Sequence, residues 1–177
     1  MNYNELSKKA HESAVKHGFW ERKWSKEHCL MLILTEVSEL VEADRKNRHA
    51  DIPSYQDGLR KGGFEHCFKE NVKDTIEDEF ADIAIRLLDL AGALGIDFDK
   101  MHPCGYYRAF DKFDFTENAF ALCKGLSRDV IGIEKRILFG LDFVKGWTTE
   151  LGISLKYHIT LKMAYNESRE IRHGKLY

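Results

Sequence analysis

Ile76, Phe80, Ile83, Leu87, Leu90 and Leu94 are spaced alternately four and three residues apart. That spacing fits a helix with one apolar seam and excludes a strand, where apolar residues would recur every second position. Such a seam is stable only when packed on other helices, so the chain is expected to be an all-α helical bundle. Prolines are scarce enough to permit this. Pro53 and Pro103 are the only two, and both fall where the helical pattern stops.

The same periodicity places the other elements. A first helix is expected over 3–17, ending at Gly18, followed by the aromatic link HGFWERKW. A second runs from about 25 to 47, with Ser25 as its N-cap. Residues 49–72 hold Pro53, Gly58, Gly62 and Gly63 and read as an irregular excursion with a short helical piece near 64–70. The seam helix starts near Asp74 and reaches about 94. A second excursion, 97–115, is rich in aromatics: Tyr106, Tyr107, Phe110, Phe113 and Phe115. Thr116 can cap a long helical region reaching about 150, bent near Gly140 or Gly146, and a last helix covers 154–170 from Ser154. This amounts to about five main helices in a single domain, 1–177. LAGALGIDF at 90–98 echoes TTELGISL at 148–155. Two similar helix ends, each with Gly and then an apolar residue, explain the echo better than an internal repeat.

Composition narrows the function classes. The 177 residues carry a net charge of -2, which points away from a general nucleic-acid binder or a polybasic membrane surface. The longest apolar run, Leu30 to Leu34, is far too short to span a bilayer. Cysteines 29, 67, 104 and 123 form no C-x-x-C, and no signal peptide is legible at the start. Reduced thiols in a cytoplasmic protein are expected. His28-Cys29, His66-Cys67 and His102-Pro103-Cys104 could be imagined as zinc ligands, but their spacing matches no zinc pattern with a physical rationale.

Two acidic pairs stand out. Glu36-x-x-Glu39 lies on the second helix, with Glu42 one turn on, and Glu79-x-x-Asp82 lies on the seam helix. Spacing of i,i+3 sets each pair on one face. Glu36, bracketed by Ile33 and Leu40, borders the apolar stripe instead of opposing it, and Glu79 does the same. Two antiparallel helices packed by their stripes would gather the four acids at one margin of the core. Leu40 and Ala43 occupy the i+4 positions of Glu36 and Glu39, and only Asp82 has a basic residue there, Arg86. Converging acids with so little compensation suit Mg²⁺, which takes oxygen ligands and leaves room for water and phosphate. Against this, E-x-x-E is common on solvated helices, and acids from Asp74 to Glu79 also favour a helix start through the macrodipole.

Near the C-terminus, His158, Lys162, Asn166 and Arg169 share one face beside the apolar Leu155, Ile159 and Met163. Cations at a helix end need no function. An Asn between two of them is less expected, and the set could grip phosphates and a sugar or base. Phe19 and Trp20 could stack on a base, or could belong to the core.

Glu36-Val37-Ser38-Glu39 followed by Glu79-Phe80-Ala81-Asp82 resembles the E-x-x-E…E-x-x-D signature of the MazG-like all-α nucleoside triphosphate pyrophosphohydrolases. HESAVKHGFW, LMLILTEVSELVEADRK, KDTIEDEFADIAIRLLDLAG and KMAYNESREIRHGKLY also resemble stretches of such proteins, so the likeness spans 11–96 and about 148–177. The resemblance implies an assembly of at least a dimer, with dimer and tetramer both open. It implies Mg²⁺, with Mn²⁺ as a possible substitute, held by Glu36, Glu39, Glu79 and Asp82. It implies nucleotide contacts from Lys162, Asn166 and Arg169. The gap between the acidic pairs is long here because 49–72 intervenes, so substrate choice transfers least well.

The expected activity is therefore cleavage of a nucleoside triphosphate, a deoxynucleotide or non-canonical one, to monophosphate and pyrophosphate. Glu36 and Glu39 are the candidate catalytic residues, Glu39 being the choice of base because it lies farther from the apolar stripe. Trp20 is the candidate base-stacking residue. A non-catalytic nucleotide-binding or protein-interaction module of the same fold is the alternative. A di-iron bundle would need two E-x-x-H motifs, and Glu170-Ile171-Arg172-His173 is the only one. Met31 and Leu32 point away from the main stripe of their helix and suggest a subunit contact.

Overall fold

A computed structural model of the chain describes residues 1–102, 110 and 114–174, with His173 by its backbone alone. Among the described residues there are eight α-helices and no strand. They are α1 (Tyr3–Lys16), α2 (Lys26–Arg45), α3 (Ile52–Leu59), α4 (Phe64–Asn71), α5 (Ile76–Ala93), α6 (Phe115–Leu126), α7 (Ile133–Glu150) and α8 (Leu155–Glu167). Short 3₁₀ turns cover Phe98–Lys100 and Ile171–Gly174. No described helix is long and apolar enough to cross a membrane.

The seam helix is the hub. α5 packs against α1, α2, α7 and α8. Ile76, Phe80, Ile83, Leu87 and Leu90 are buried as the periodicity requires, and Ala81, Ala84, Leu88 and Ala91 bury a second face. Each large apolar side chain removed from water contributes about 1.5–3 kcal/mol before entropy is counted. Leu94, the expected end of the seam, is instead the C-cap and is exposed. Trp147 of α7 meets Phe80 edge-on at 5.0 Å and Phe115 at 4.7 Å, closing the core on its far side.

Local signals explain most helix boundaries. Ser25 caps α2 by accepting from the His28 N–H at 3.1 Å. Asn47 (φ 51°) sits just past the end of α2, and Arg48 N–H returns to Ala43 O at 3.0 Å, so the helix stops short of residue 47. Gly95 (φ 65°) and Gly152 (φ 71°) close α5 and α7 in the same motif, with Ile96 N–H to Ala91 O and Ile153 N–H to Thr148 O. The echo between 90–98 and 148–155 is this shared helix end.

Three expectations need correction. The long helical region 116–150 is two helices, α6 and α7, broken at 127–132 and not bent at Gly140 or Gly146. Gly140 serves packing: a Cβ there would lie 2.9 Å from both Leu126 and Leu87. Asp114, not Thr116, caps α6, accepting from Glu117 N–H at 2.6 Å. The excursion 49–72 contains the short piece expected near 64–70, as α4, and also α3, which Asp51 caps with Pro53 in its first turn. Tyr55, Cys67, Phe68 and Val72 form a second small core that reaches Tyr165 of α8, with Phe68 stacked on Tyr165 at 4.4 Å. In the second excursion, Phe110 and Phe115 pack near Trp147. Tyr106, Tyr107 and Phe113 lie outside the described residues, as do Cys104 and residues 175–177.

Candidate active site

Along α2, Cys29 lies beside Asp89, Glu36 beside Arg86 and Asp82, and Glu39 near Glu79. Rising numbers on α2 meet falling numbers on α5, so the two helices are antiparallel. Their stripes meet in the core, and the acids that border those stripes meet beside it. One carboxylate oxygen from each of Glu36, Glu39 and Glu79 lies within 4.8 Å of the others. Glu36 and Glu79 are each 3 % exposed, while Glu39 faces solvent.

Burial dominates the electrostatics. It pushes the Glu79 carboxyl up to about 9, with repulsion from Asp82 adding and Lys162 opposing. Burial also raises Glu36, against the pull of Arg86. Glu79 Oε2 is buried with no hydrogen-bond partner among the described residues. A buried carboxylate with one unpartnered oxygen, gathered with two further carboxylates, is a poor resting arrangement in an apolar setting and a good source of hard oxygen donors for a divalent cation. The donor set therefore fits Mg²⁺ or Mn²⁺.

Asp82 departs from the expected four-acid set. It is half-buried and pairs with Lys162 of α8 at 2.6 Å. Lys162 is 5 % exposed and also pairs with Asp78 at 2.7 Å. Burial works against this ammonium, but Asp82 and Asp78 outweigh it and hold it above the ordinary lysine range. Lys162 thus ties α8 to α5, a role its place on a stripe near the chain end does not suggest. Arg86, the expected i+4 partner of Asp82, pairs with Glu36 on α2. The acids are accordingly better compensated than their own helices allow.

Lys162, Asn166 and Arg169 line one wall of a cleft, whereas His158, one turn before Lys162 on α8, is buried behind that wall and does not line it. The cleft, of about 390 Å³, opens among α1, α2, α5 and α8, and the eight residues expected to act in catalysis, metal binding or nucleotide binding line it: Trp20, Glu36, Glu39, Glu79, Asp82, Lys162, Asn166 and Arg169. Its far end is aromatic, with Phe19, Trp20 and Trp24. Trp24 stacks on His28 at 4.0 Å, and Arg22 lies 3.8 Å from the Trp24 ring centre. Leu32 lines the cleft instead of facing outward beside Met31, which is exposed as expected.

The sequence reading missed Arg86 as a partner of Glu36, Asp78 as a partner of Lys162, and the group His11–Asp89–Trp20. Asp82, Arg86 and Asp89 step by four and three along α5, so the face that carries Asp82 already pointed to Asp89. Among the described residues the groups able to converge on a metal are carboxylates, and neither His28-Cys29 nor His66-Cys67 is in them. No family model, curated protein or solved structure matches this chain, so the chemistry must be read from the cleft itself.

Proposed function

We propose that the chain is a Mg²⁺-dependent nucleoside triphosphate pyrophosphohydrolase. The observation that carries this reading is the Glu36–Glu39–Glu79 trio, two of its members buried and one with an orphaned oxygen, in the same cleft as Lys162, Asn166, Arg169 and an aromatic end. The motifs that resemble the MazG-like enzymes are the ones that supply these residues.

When bound, the cation supplies charge neutralisation at the phosphates and Lewis acidity. The chain's own part is positional. Glu36 and Glu79 fix the acidic end, with Arg86 holding Glu36 in place and the Lys162 pair holding Asp82. Glu39, open to solvent, takes the proton of the attacking water. Water adds to a phosphorus of the α,β-anhydride, the bridging P–O bond breaks, and monophosphate and pyrophosphate leave. Arg169 and Asn166, on the opposite wall, orient the polyphosphate. No covalent nucleophile is required.

The test is product identity. Pure protein incubated with canonical and modified nucleoside triphosphates plus Mg²⁺ should release pyrophosphate from at least one. Orthophosphate as the sole first product would reject this cleavage position. Binding without turnover across the panel would favour the non-catalytic module.

A further inference from the structure

Asp89 sits at the aromatic end of the cleft. Its Oδ1 accepts from His11 Nδ1 at 2.8 Å and from Trp20 Nε1 at 2.9 Å, and among the described residues its Oδ2 accepts only from the same indole N–H, at 3.1 Å. A carboxylate has about four acceptor positions, so Oδ2 keeps one to offer. Arg86, one turn earlier on α5, is paired with Glu36. Asp89 is thus an acceptor-only group clamped beside flat rings, with its orientation set by two neighbours. It lies ten residues beyond Glu79 on one helix, about 15 Å along the axis. That separation suits an extended nucleotide with phosphates at the acidic trio and base among the aromatics.

We infer that Asp89 selects the base, favouring nucleotides whose base carries an exocyclic amino group over those with a carbonyl at that position. This rests on the nucleotide reading above. Cytosine N4 and adenine N6 donate to a carboxylate. Uracil and thymine O4 and hypoxanthine O6 set a lone pair against a lone pair, and the lone N–H of uracil is flanked by carbonyls on both sides. A site built to accept a hydrogen bond rejects a partner that cannot donate one. A charge-assisted bond of this kind is worth about ten- to a hundredfold in preference.

The experiment compares deoxycytidine with deoxyuridine triphosphate, and deoxyadenosine with deoxyinosine triphosphate, in two arms. One arm reads kcat/KM with Mg²⁺, and the other reads Kd for the α,β-imido analogues. Wild type should favour the amino member of each pair by about tenfold or more. Asp89→Asn, whose amide can donate to a carbonyl, should bring the ratio to near unity or invert it. Equal treatment of the pairs by wild type, or an unchanged ratio in Asp89→Asn, overturns the inference while leaving hydrolysis standing. Analogue binding with the amino preference but no turnover of any substrate rejects hydrolysis and keeps the inference. No binding of any analogue rejects both. Should Asp89→Asn fail to fold, the wild-type ratios in the two arms decide the matter.

Discussion

Glu79 and Glu36 are both carboxylates at 3 % exposure, yet their neutral isosteres should act to different degrees. Glu79 Oε2 has no hydrogen-bond partner among the described residues, and its carboxyl is pushed up to about 9, so near neutrality without metal the folded protein holds a proton there. The unfolded chain titrates at its ordinary 4.5, and the difference costs on the order of 3 kcal/mol at pH 7. Glu79→Gln removes that cost and should raise urea stability in the presence of chelator. Burial also raises Glu36, so Glu36→Gln relieves a cost of the same sign, but it weakens the pair with Arg86 and should therefore raise stability less than Glu79→Gln does. Both should abolish pyrophosphate release. Equal shifts of the same sign in chelator-containing urea melts would mean the two acids share one environment. The clustering of three acids was legible because their angular positions beside the apolar stripes follow from helix geometry alone. Their counter-charges were not, because Arg86 and Lys162 choose partners across helix interfaces, and nothing on α5 or α8 alone marks which carboxylate will lie opposite.

α8 illustrates the same limit for an element. Its stripe suggested a substrate-gripping face, and on that view Lys162 could be removed at little cost to folding. Lys162 is instead buried between Asp78 and Asp82, and Asp78 is 1 % exposed with Oδ1 unpartnered among the described residues. Lys162→Met should therefore destabilise the protein by about 3–5 kcal/mol, since it leaves two carboxylates without their cation. Arg169→Ala, at the half-buried end of the helix, should cost far less stability and act mainly on KM. Urea unfolding and steady-state kinetics on the two variants separate these roles, and a Lys162→Met protein as stable as wild type would show that the pair does not hold α8 in place. The seam of α5 and the N-cap of α2 were readable because they rest on local periodicity and a single side chain. The break between α6 and α7 was not. Residues 127–132 contain no proline, and Gly132 gives no side-chain cap to announce a new helix.

At the scale of the whole molecule, the acidic cluster links folding, protons and metal. The sign follows from Glu79. A carboxyl raised from 4.5 to about 9 binds a proton in the folded state that the unfolded state has already lost, so metal-free stability should fall as pH rises from about 5 to about 9. Glu36, also raised by burial, adds to the same slope. His28 and His158, lowered by burial, give the opposite slope, but only below the ordinary histidine value of 6.5. From pH 7 upward the carboxylates therefore set the slope, and the half-buried Cys29 and Cys123 thiols, raised from 9.0, add to it only toward pH 9. A divalent cation in the trio must displace those protons, so its apparent affinity should rise with pH by up to about tenfold per unit for each proton released. With Mg²⁺ at about a hundredfold excess over Kd, the gain is about 2–3 kcal/mol. The expected picture is a melting temperature that falls from pH 7 to 9 in chelator and stays nearly level in excess Mg²⁺ or Mn²⁺, the two curves diverging as pH rises. Glu79→Gln should flatten the chelator curve and shrink the divergence. A wild-type protein that gains stability across that interval without metal, or whose metal-induced shift is the same at pH 7 and pH 9, would show that Glu79 is neither the proton store nor a ligand.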